Sequence, residues 1–398
     1  MPLSTRVSGA WKSLSTVSVK VNGVWKSCNQ VYVKVNGAWK SCDISPFIFT
    51  INTAASTSGE KKGAIPFQLT GSAAVLSVDW GDGSFSTLKS SNYSSSSDYN
   101  ASIHTYSTAG TYTIKIFCTD WSKISNTNVC TSVGGSETSR YYFERTLTAI
   151  NSPFPNISST SAFALFRFCS KLKTIPSNLF QKYTNCTSFY DCFHGCSSLQ
   201  SIPSGLFDNN TAATGFDGCF SGCSSLTSIP SGLFDKNTAA DSFYATFFNC
   251  TSLTSIPTGL FDKNTKVERF VQCFFGCSKL ASIPSGLFDK NINVVTFETC
   301  FYNCTSLTSI PTNLFKYNTK VTVMVATFKN CSALGNFTIH IGSSIIGEGY
   351  HDDWDTLVDD FVTKKSGTTR KVYVPKNSTT HTEFNAVASK LGLTIIGE

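Results

Sequence analysis

The sequence predicts a multidomain chain of β plus α/β solenoid class: N-terminal β-hairpin repeats, a β-sandwich, then a repeat solenoid closed by an α/β C-terminal cap. Three observations predict it. A 27-residue unit recurs without a slip in spacing, headed by Cys169, Cys196, Cys223, Cys250, Cys277, Cys304 and Cys331. Self-similarity at that period means stacked supersecondary units that bury their apolar faces on one another. A shorter repeat of 14 residues fills the first 42, and a stretch of alternating apolar and polar residues lies between the two repeats. At 398 residues the chain holds several modules rather than one core.

Composition narrows the function classes. Charged residues make up 14%, against about 25% in an average globular protein. The net charge of +7 is concentrated at the start, where Arg6, Lys12, Lys20, Lys26, Lys34 and Lys40 face only Asp43. No broad basic face runs along the long repeats, so nucleic acid is not an expected partner. No charged n-region followed by an apolar h-region opens the sequence, and no apolar run of about 18 residues occurs. The chain is therefore expected neither to be secreted through a signal peptide nor to enter a membrane, and its 16 cysteines are expected to be thiols.

Residues 1–43 form the first predicted module. TVSVKVNGVWKSC ends at Cys28 and QVYVKVNGAWKSC at Cys42, with a degenerate copy, VSGAWKSL, ahead of them. Alternating valines predict strands, and Asn22-Gly23 and Asn36-Gly37 predict the φ > 0 pair of a type I′ hairpin turn. Trp11, Trp25 and Trp39 recur on the return strands. Hairpins this small cannot bury three indoles alone, so they are expected to dock on a partner or a larger structure.

Residues 44–136 alternate as a sandwich does: FIFTI, IPFQL, AVLSVDWGDGS and HTYSTAGTYTIKIFC. The pairing of Trp80-Gly81-Asp82-Gly83 with the run from His104 to Ile114 resembles the polycystic kidney disease (PKD) repeat. That resemblance implies an immunoglobulin-like sandwich acting as a spacer or adhesion module.

Residues 137–341 carry the 27-residue unit, with a shortened copy at Leu147 to Ile150. Leu226 and Ile229, with their equivalents, predict a short strand; Gly-Leu-Phe and Asp-Lys-Asn-Thr follow. Thr238 with Asp241, and Thr265 with Glu268, fit a capping box and predict a helix of about two turns. Gly195, Gly222, Asn249, Gly276, Asn303 and Asn330 share one column, as a left-handed C′ position prefers. The pattern Phe-x-x-Cys-Phe-x-x-Cys-x-x-Leu-x-x-Ile resembles the BspA-like (Treponema-type) leucine-rich repeat, which implies binding to host proteins or surfaces. Pro176, Pro203, Pro230, Pro257, Pro284 and Pro311 follow the Ile directly, a departure that predicts a short concave sheet. Residues 342–398 are expected to cap the stack: a helix from Asp352 to Lys365, a strand from Lys371 to Pro375, a helix from His381 to Lys390 and a strand from Leu393 to Ile396.

Candidate chemistry is sparse. Cys192 with Cys196, Cys219 with Cys223, Cys273 with Cys277 and Cys300 with Cys304 have a ligand-like C-x3-C spacing, yet the first position is Thr in two copies, Thr246 and Thr327, with no compensating ligand. Buried thiol ladders are the expected reading. Asp79 and Asp82 carry the hard oxygens of a calcium site, but tight turns use Asp for their own geometry. His104, His194, His340, His351 and His381 have no partner at a motif spacing. No catalytic, cofactor-binding or metal site is predicted, and no enzyme. The columns Phe180 to Phe315 and Phe193 to Phe328 are expected core, at roughly 1.5–3 kcal/mol per buried ring before entropy is subtracted. The candidate recognition face is the hydroxyl column Ser201, Ser228, Ser255, Ser282 and Ser309.

The V-x-V-K-V-N-G-x-W-K unit resembles short hairpin repeats of tailed-phage tail and minor structural proteins. It implies a tail fibre or receptor-binding protein of a bacteriophage virion, made in bacterial cytoplasm. Trp11, Trp25 and Trp39 would then anchor the chain to other virion proteins, and the solenoid would contact a protein or glycan of the host surface. A homo-oligomer is expected, although no coiled-coil or collagen-like segment marks its order. The alternatives are a capsid decoration or head-fibre protein, a cellular BspA-like adhesin and an intracellular repeat scaffold.

Overall fold

The computed structural model describes the strands within residues 4–42, most of 45–89 and 102–124, and nearly all of 139–342 and 366–397. The protein is β-rich, with 7% of residues helical and 21% in strands. Six short strands pair as three antiparallel hairpins: β1 (Ser4–Val7) with β2 (Ala10–Ser13), β3 (Val17–Val21) with β4 (Val24–Cys28), and β5 (Val31–Val35) with β6 (Ala38–Cys42). Val21 pairs with Val24 and Val35 with Ala38, and the turns expected at Asn22-Gly23 and Asn36-Gly37 lie outside the described residues.

The next region contains β7 (Phe47–Asn52), β8 (Lys62–Ala64), β9 (Leu76–Asp79), β10 (Phe85–Leu88), β11 (Ile103–Thr105) and β12 (Thr111–Cys118). An antiparallel sheet runs β10-β9-β12-β7-β13, where β13 is Leu147–Ile150, and β11 pairs separately with β8. Strand β8 lies tight on β7: a Cβ on Gly63 would stand 2.3 Å from Ile51 Cδ1. A helix not foreseen in the sequence, α1 (Ser139–Thr146), precedes β13 and buries Tyr142 and Phe143. Strand β13 is the segment expected as a shortened copy of the long repeat. It pairs antiparallel with β7 and also bridges in parallel to the first full unit at Thr174, so one sheet is hydrogen-bonded to the stack.

From residue 161 onward the backbone advances by parallel bridges at intervals of 27: Ser161, Ser188, Gly215, Ser242, Arg269, Thr296 and Val323. The two-turn helix expected after the Thr is a run of tight turns instead. Phe243, Ala245, Phe247 and Asn249 send their N–H groups to carbonyls of the next unit, while Phe248 and Cys250 close i to i−3 bonds within their own. Glu268, expected in a capping box, donates its N–H to Asp241 O of the preceding unit. Within each such run the backbone turns left-handed twice, at φ 53° for Asp191 and 73° for Gly195, and at 51° for Ala245 and 54° for Asn249. Each is the third residue of a turn, where a positive φ favours Gly or Asn. The Gly/Asn column is thus left-handed as expected, but it ends a tight turn, not a helix. Buried Phe216, Cys219, Phe220 and Cys223 have the i, i+3, i+4, i+7 spacing of a helix. A turn run with this repeat buries the same positions, so periodicity did not separate the two.

The Leu-x-x-Ile run forms no strand either. Its ladder is reduced to about one bond per unit, such as Thr254 N to Thr227 O, and to the bridge between Ser282 and Ser309. The prolines account for this, since each removes a donor just past the Ile.

Translation by one unit builds the core. Phe180, Phe207, Phe234, Phe261, Phe288 and Phe315 stack at 5.9–6.3 Å. The column from Phe193 to Phe328 stacks at 5.5–5.8 Å. A third column, Phe189, Phe216, Phe243, Phe270 and Phe297, stacks at 5.7–6.0 Å and packs on the other side of the first, with Phe189 4.8 Å from Phe180. Beside them runs a ladder of buried amides: Asn237 Nδ2 donates to Phe207 O at 3.2 Å and Asn210 O at 2.8 Å. Asn264, Asn291 and Asn318 repeat the arrangement.

At the far end, β14 (Phe337–His340), β15 (Arg370–Val374) and β16 (Thr394–Gly397) form a parallel sheet, with α2 (Thr379–Leu391) between the last two strands. Arg370 is 1% exposed and fastens this cap to the last unit. Its Nη2 donates to Leu334 O at 3.0 Å and its Nε to Gly335 O at 3.3 Å. Of the expected helix from Asp352 to Lys365 only Val362 is described, and it is buried in a parallel β-bridge to Phe328 rather than helical.

Candidate functional site

The five predicted serines, Ser201, Ser228, Ser255, Ser282 and Ser309, form one exposed column along the stack. The column continues to Thr174, which bridges Ala149 of β13. Neighbouring hydroxyls serve the stack itself: Thr254 Oγ1 donates to Thr227 O at 3.3 Å, and Thr308 Oγ1 to Ala281 O at 3.2 Å. The five serine hydroxyls have no such bond within the protein, so they face outward as a polar strip with both donor and acceptor capacity.

In the hairpins, the register sets Trp11 opposite Arg6, Trp25 opposite Lys20 and Trp39 opposite Lys34. In each hairpin one indole-bearing residue is therefore paired across the strands with one cationic residue. The three indoles thus occupy equivalent positions.

The cysteines line the interior. Cys223 Sγ donates to Phe193 O at 3.3 Å, Cys250 to Phe220 O at 3.2 Å and Cys277 to Phe247 O at 3.2 Å. The two threonines that replace the first cysteine do the same work. Thr246 Oγ1 donates to Phe216 O at 3.1 Å and Thr327 Oγ1 to Phe297 O at 3.2 Å. Burial pushes the Cys277 and Cys331 thiols up to about 12, which keeps them protonated and unreactive at neutral pH.

Asp79 and Asp82 shape the turn after β9. Asp79 Oδ1 accepts from Gly81 N at 3.0 Å, and Asp82 Oδ1 from Ser84 N at 3.0 Å and Ser84 Oγ at 2.5 Å. His104, expected without a partner, meets Asp82 Oδ2 at 2.8 Å and stacks on Trp80 at 4.9 Å. Burial alone would raise the Asp82 pKa; the bonds from Ser84 and His104 outweigh it and hold the carboxyl at about 2. Tyr106 completes the cluster, its hydroxyl donating to Trp80 O at 3.0 Å. His104 and Asp82 lie 22 residues apart, with no spacing rule to connect them. Among the described residues no group of three or more His, Cys, Asp or Glu could hold a metal ion.

A further face was not foreseen. The left-handed turns carry exposed or half-buried rings on their outer side: Phe163 stacks on Tyr190 at 5.3 Å, Phe248 on Phe275 at 4.7 Å, and Phe275 on Tyr302 at 4.7 Å. Aligning the units shows where this run breaks, since Asp217 and Ser221 stand in columns that hold aromatics elsewhere. No family model matches the chain, and neither does any curated protein or solved structure.

Proposed function

We propose that the chain is a structural protein of a bacteriophage virion, a tail fibre or receptor-binding protein that contacts the bacterial surface through its repeat stack. In this reading the stack is a leucine-rich-repeat solenoid of the BspA-like kind, and the preceding sheets form an immunoglobulin-like spacer of the PKD kind. The hairpins attach the chain to other virion proteins. The role is binding rather than catalysis, and the assembled particle is its location.

The observation that carries this reading is the division of chemistry along the chain. Three indole–cation pairs recur at equivalent register positions in the first 42 residues, whereas exposed hydroxyls and rings line the stack beyond residue 160. One end suits fixed attachment and the other suits a polar, sugar- or protein-bearing surface. Deleting residues 1–42 is expected to abolish incorporation into particles while saturable binding to intact host cells persists. Normal incorporation of the truncated chain, scored by immunoblot of purified particles, would overturn the assignment of the anchor.

A further inference from the structure

Across the outer turn face, ring follows ring from unit to unit with one interior break. The unit at Asp217 has Asp217, Gly218, Ser221 and Gly222 on this face, whereas each of the other units between residues 163 and 303 has at least one aromatic there. Tyr190 and Tyr244, both 41% exposed, flank the gap from the units on either side. The gap is a cavity of about 240 Å³ lined by Tyr190, Asp191, His194, Ser221, Tyr244 and Phe248, among others.

Its floor is built to stay open. Gly218 has φ 62°, and a Cβ there would stand 2.2 Å from Asp191 Oδ1. Asp191 is 8% exposed, and its carboxylate lies 3.7 Å from Arg167 Nη1 and 3.3 Å from His194 Nδ1. On the rim, Asp217 Oδ1 accepts from Ser242 Oγ at 2.6 Å and from Tyr244 N at 2.9 Å.

Geometry sets the thickness of an occupant. Stacked units advance by about 4.8 Å, so the walls two units apart have backbones separated by about 9.6 Å. One flat ring fits at the spacing seen where the column is unbroken, 5.3 Å for Phe163 on Tyr190. Chemistry sets its class. The carboxylates of Asp191 and Asp217 disfavour an anionic ligand, and Asp191 is already matched by Arg167 and His194, which reduces its pull on a cation. What remains is aromatic walls for C–H faces and a mixed set of acceptors and donors (Tyr hydroxyls, Ser221, Asp191) for hydroxyls. The volume is below the range of about 300–1,000 Å³ typical of drug-sized ligand sites, and the cleft is open, as one residue of a longer chain requires.

We propose that the gap between Tyr190 and Tyr244 is a glycan subsite that takes a single neutral pyranose ring, a hexose or N-acetylhexosamine, as the missing rung of the aromatic column. The proposal rests on the reading of the stack as a surface-recognition element and names the ligand class it recognises.

The test is saturation-transfer NMR of the full chain with methyl glycosides of glucose, galactose, mannose and N-acetylglucosamine, with tetramethylammonium as the cationic control. Transfer to the ring protons of at least one glycoside is expected. Tyr244→Ala should weaken it by about tenfold, the scale of losing an aromatic wall. Ser221→Phe fills the cavity from the adjacent column, which holds rings at Phe248 and Phe275. It should abolish transfer with an unchanged unfolding midpoint. Transfer from no glycoside, transfer undiminished in Ser221→Phe, or a response to tetramethylammonium alone would each overturn the proposal. Cell binding separates this failure from that of the wider reading. If Ser221→Phe binds host cells as the unaltered chain does, the subsite falls and surface recognition stands. If the unaltered chain binds glycoside but no cell, the wider reading falls and the subsite stands.

Discussion

In the stack, Asn237 donates to Phe207 and Asn210, and the same two bonds recur at Asn264, Asn291 and Asn318. In the sheets before it, Asp82 meets Ser84 and His104, His104 meets Trp80, and Tyr106 meets Trp80 O, each contact occurring once. The stack pairs buried amide donors with buried carbonyls by translation, whereas the sheets hold a partly exposed turn by unique pairing. A translated ladder tolerates exchange between equivalent residues, because each partner is backbone that every unit supplies. A unique cluster tolerates little, because each partner is a particular side chain. The difference also bears on function, since a ladder leaves its outer positions free to vary. Tyr190, Asp217 and Tyr244 share one column, and each backbone carbonyl accepts from the preceding unit, although Asp217 carries a carboxylate where the others carry a ring.

The largest expected effect breaks the ladder at its centre. Asn264→Leu removes two donations to buried carbonyls and is expected to cost about 2–4 kcal/mol, read from denaturant unfolding. Its own Oδ1 accepts from no protein group, so no further bond is lost. Next comes the left-handed column. Gly276→Ala places a Cβ 2.0 Å from Asn249 Oδ1 at φ 70° and should cost about 1–2 kcal/mol from the backbone alone. Asn249→Gly, at the equivalent position, should be nearly neutral by the same measurement. Smaller still is Cys273→Thr, expected within about 1 kcal/mol because Thr246 and Thr327 already donate from that column. A cost as large as that of Asn264→Leu would show that equivalent positions are not interchangeable, against the comparison.

The smallest effect belongs to the sheets and depends on pH. The Asp82 carboxyl is held at about 2, below its ordinary 3.8, so the ionised form favours the fold. Its contribution is present above about pH 4 and is lost as the pH falls through about 2. Asp82→Asn should flatten this acid dependence, as followed by the His104 ring resonances, and leave the unfolding of the stack unaltered.

Much of this was legible in the sequence, and the misses have physical causes. The period, the two phenylalanine columns, the Gly/Asn column and the Asn-Gly hairpins could be read because translation and φ > 0 restrict residue choice. The helix was misread because Phe216, Cys219, Phe220 and Cys223 suit a helix and a turn run equally. Asn237 stood in the Asp-Lys-Asn-Thr run without an assigned role, since nothing local marks an amide as buried. The His104–Asp82 pair and the gap between Tyr190 and Tyr244 depend on residues brought together by pairing and stacking, and the gap is defined by small side chains where rings were available.

The central claim is that recognition resides in the stack and attachment in the hairpins. Its most direct test is saturation binding of the chain lacking residues 1–42 to intact host cells, beside the full chain. Equal affinity and equal site number are the predicted result. Loss of binding on truncation would place recognition in the hairpins and contradict the account.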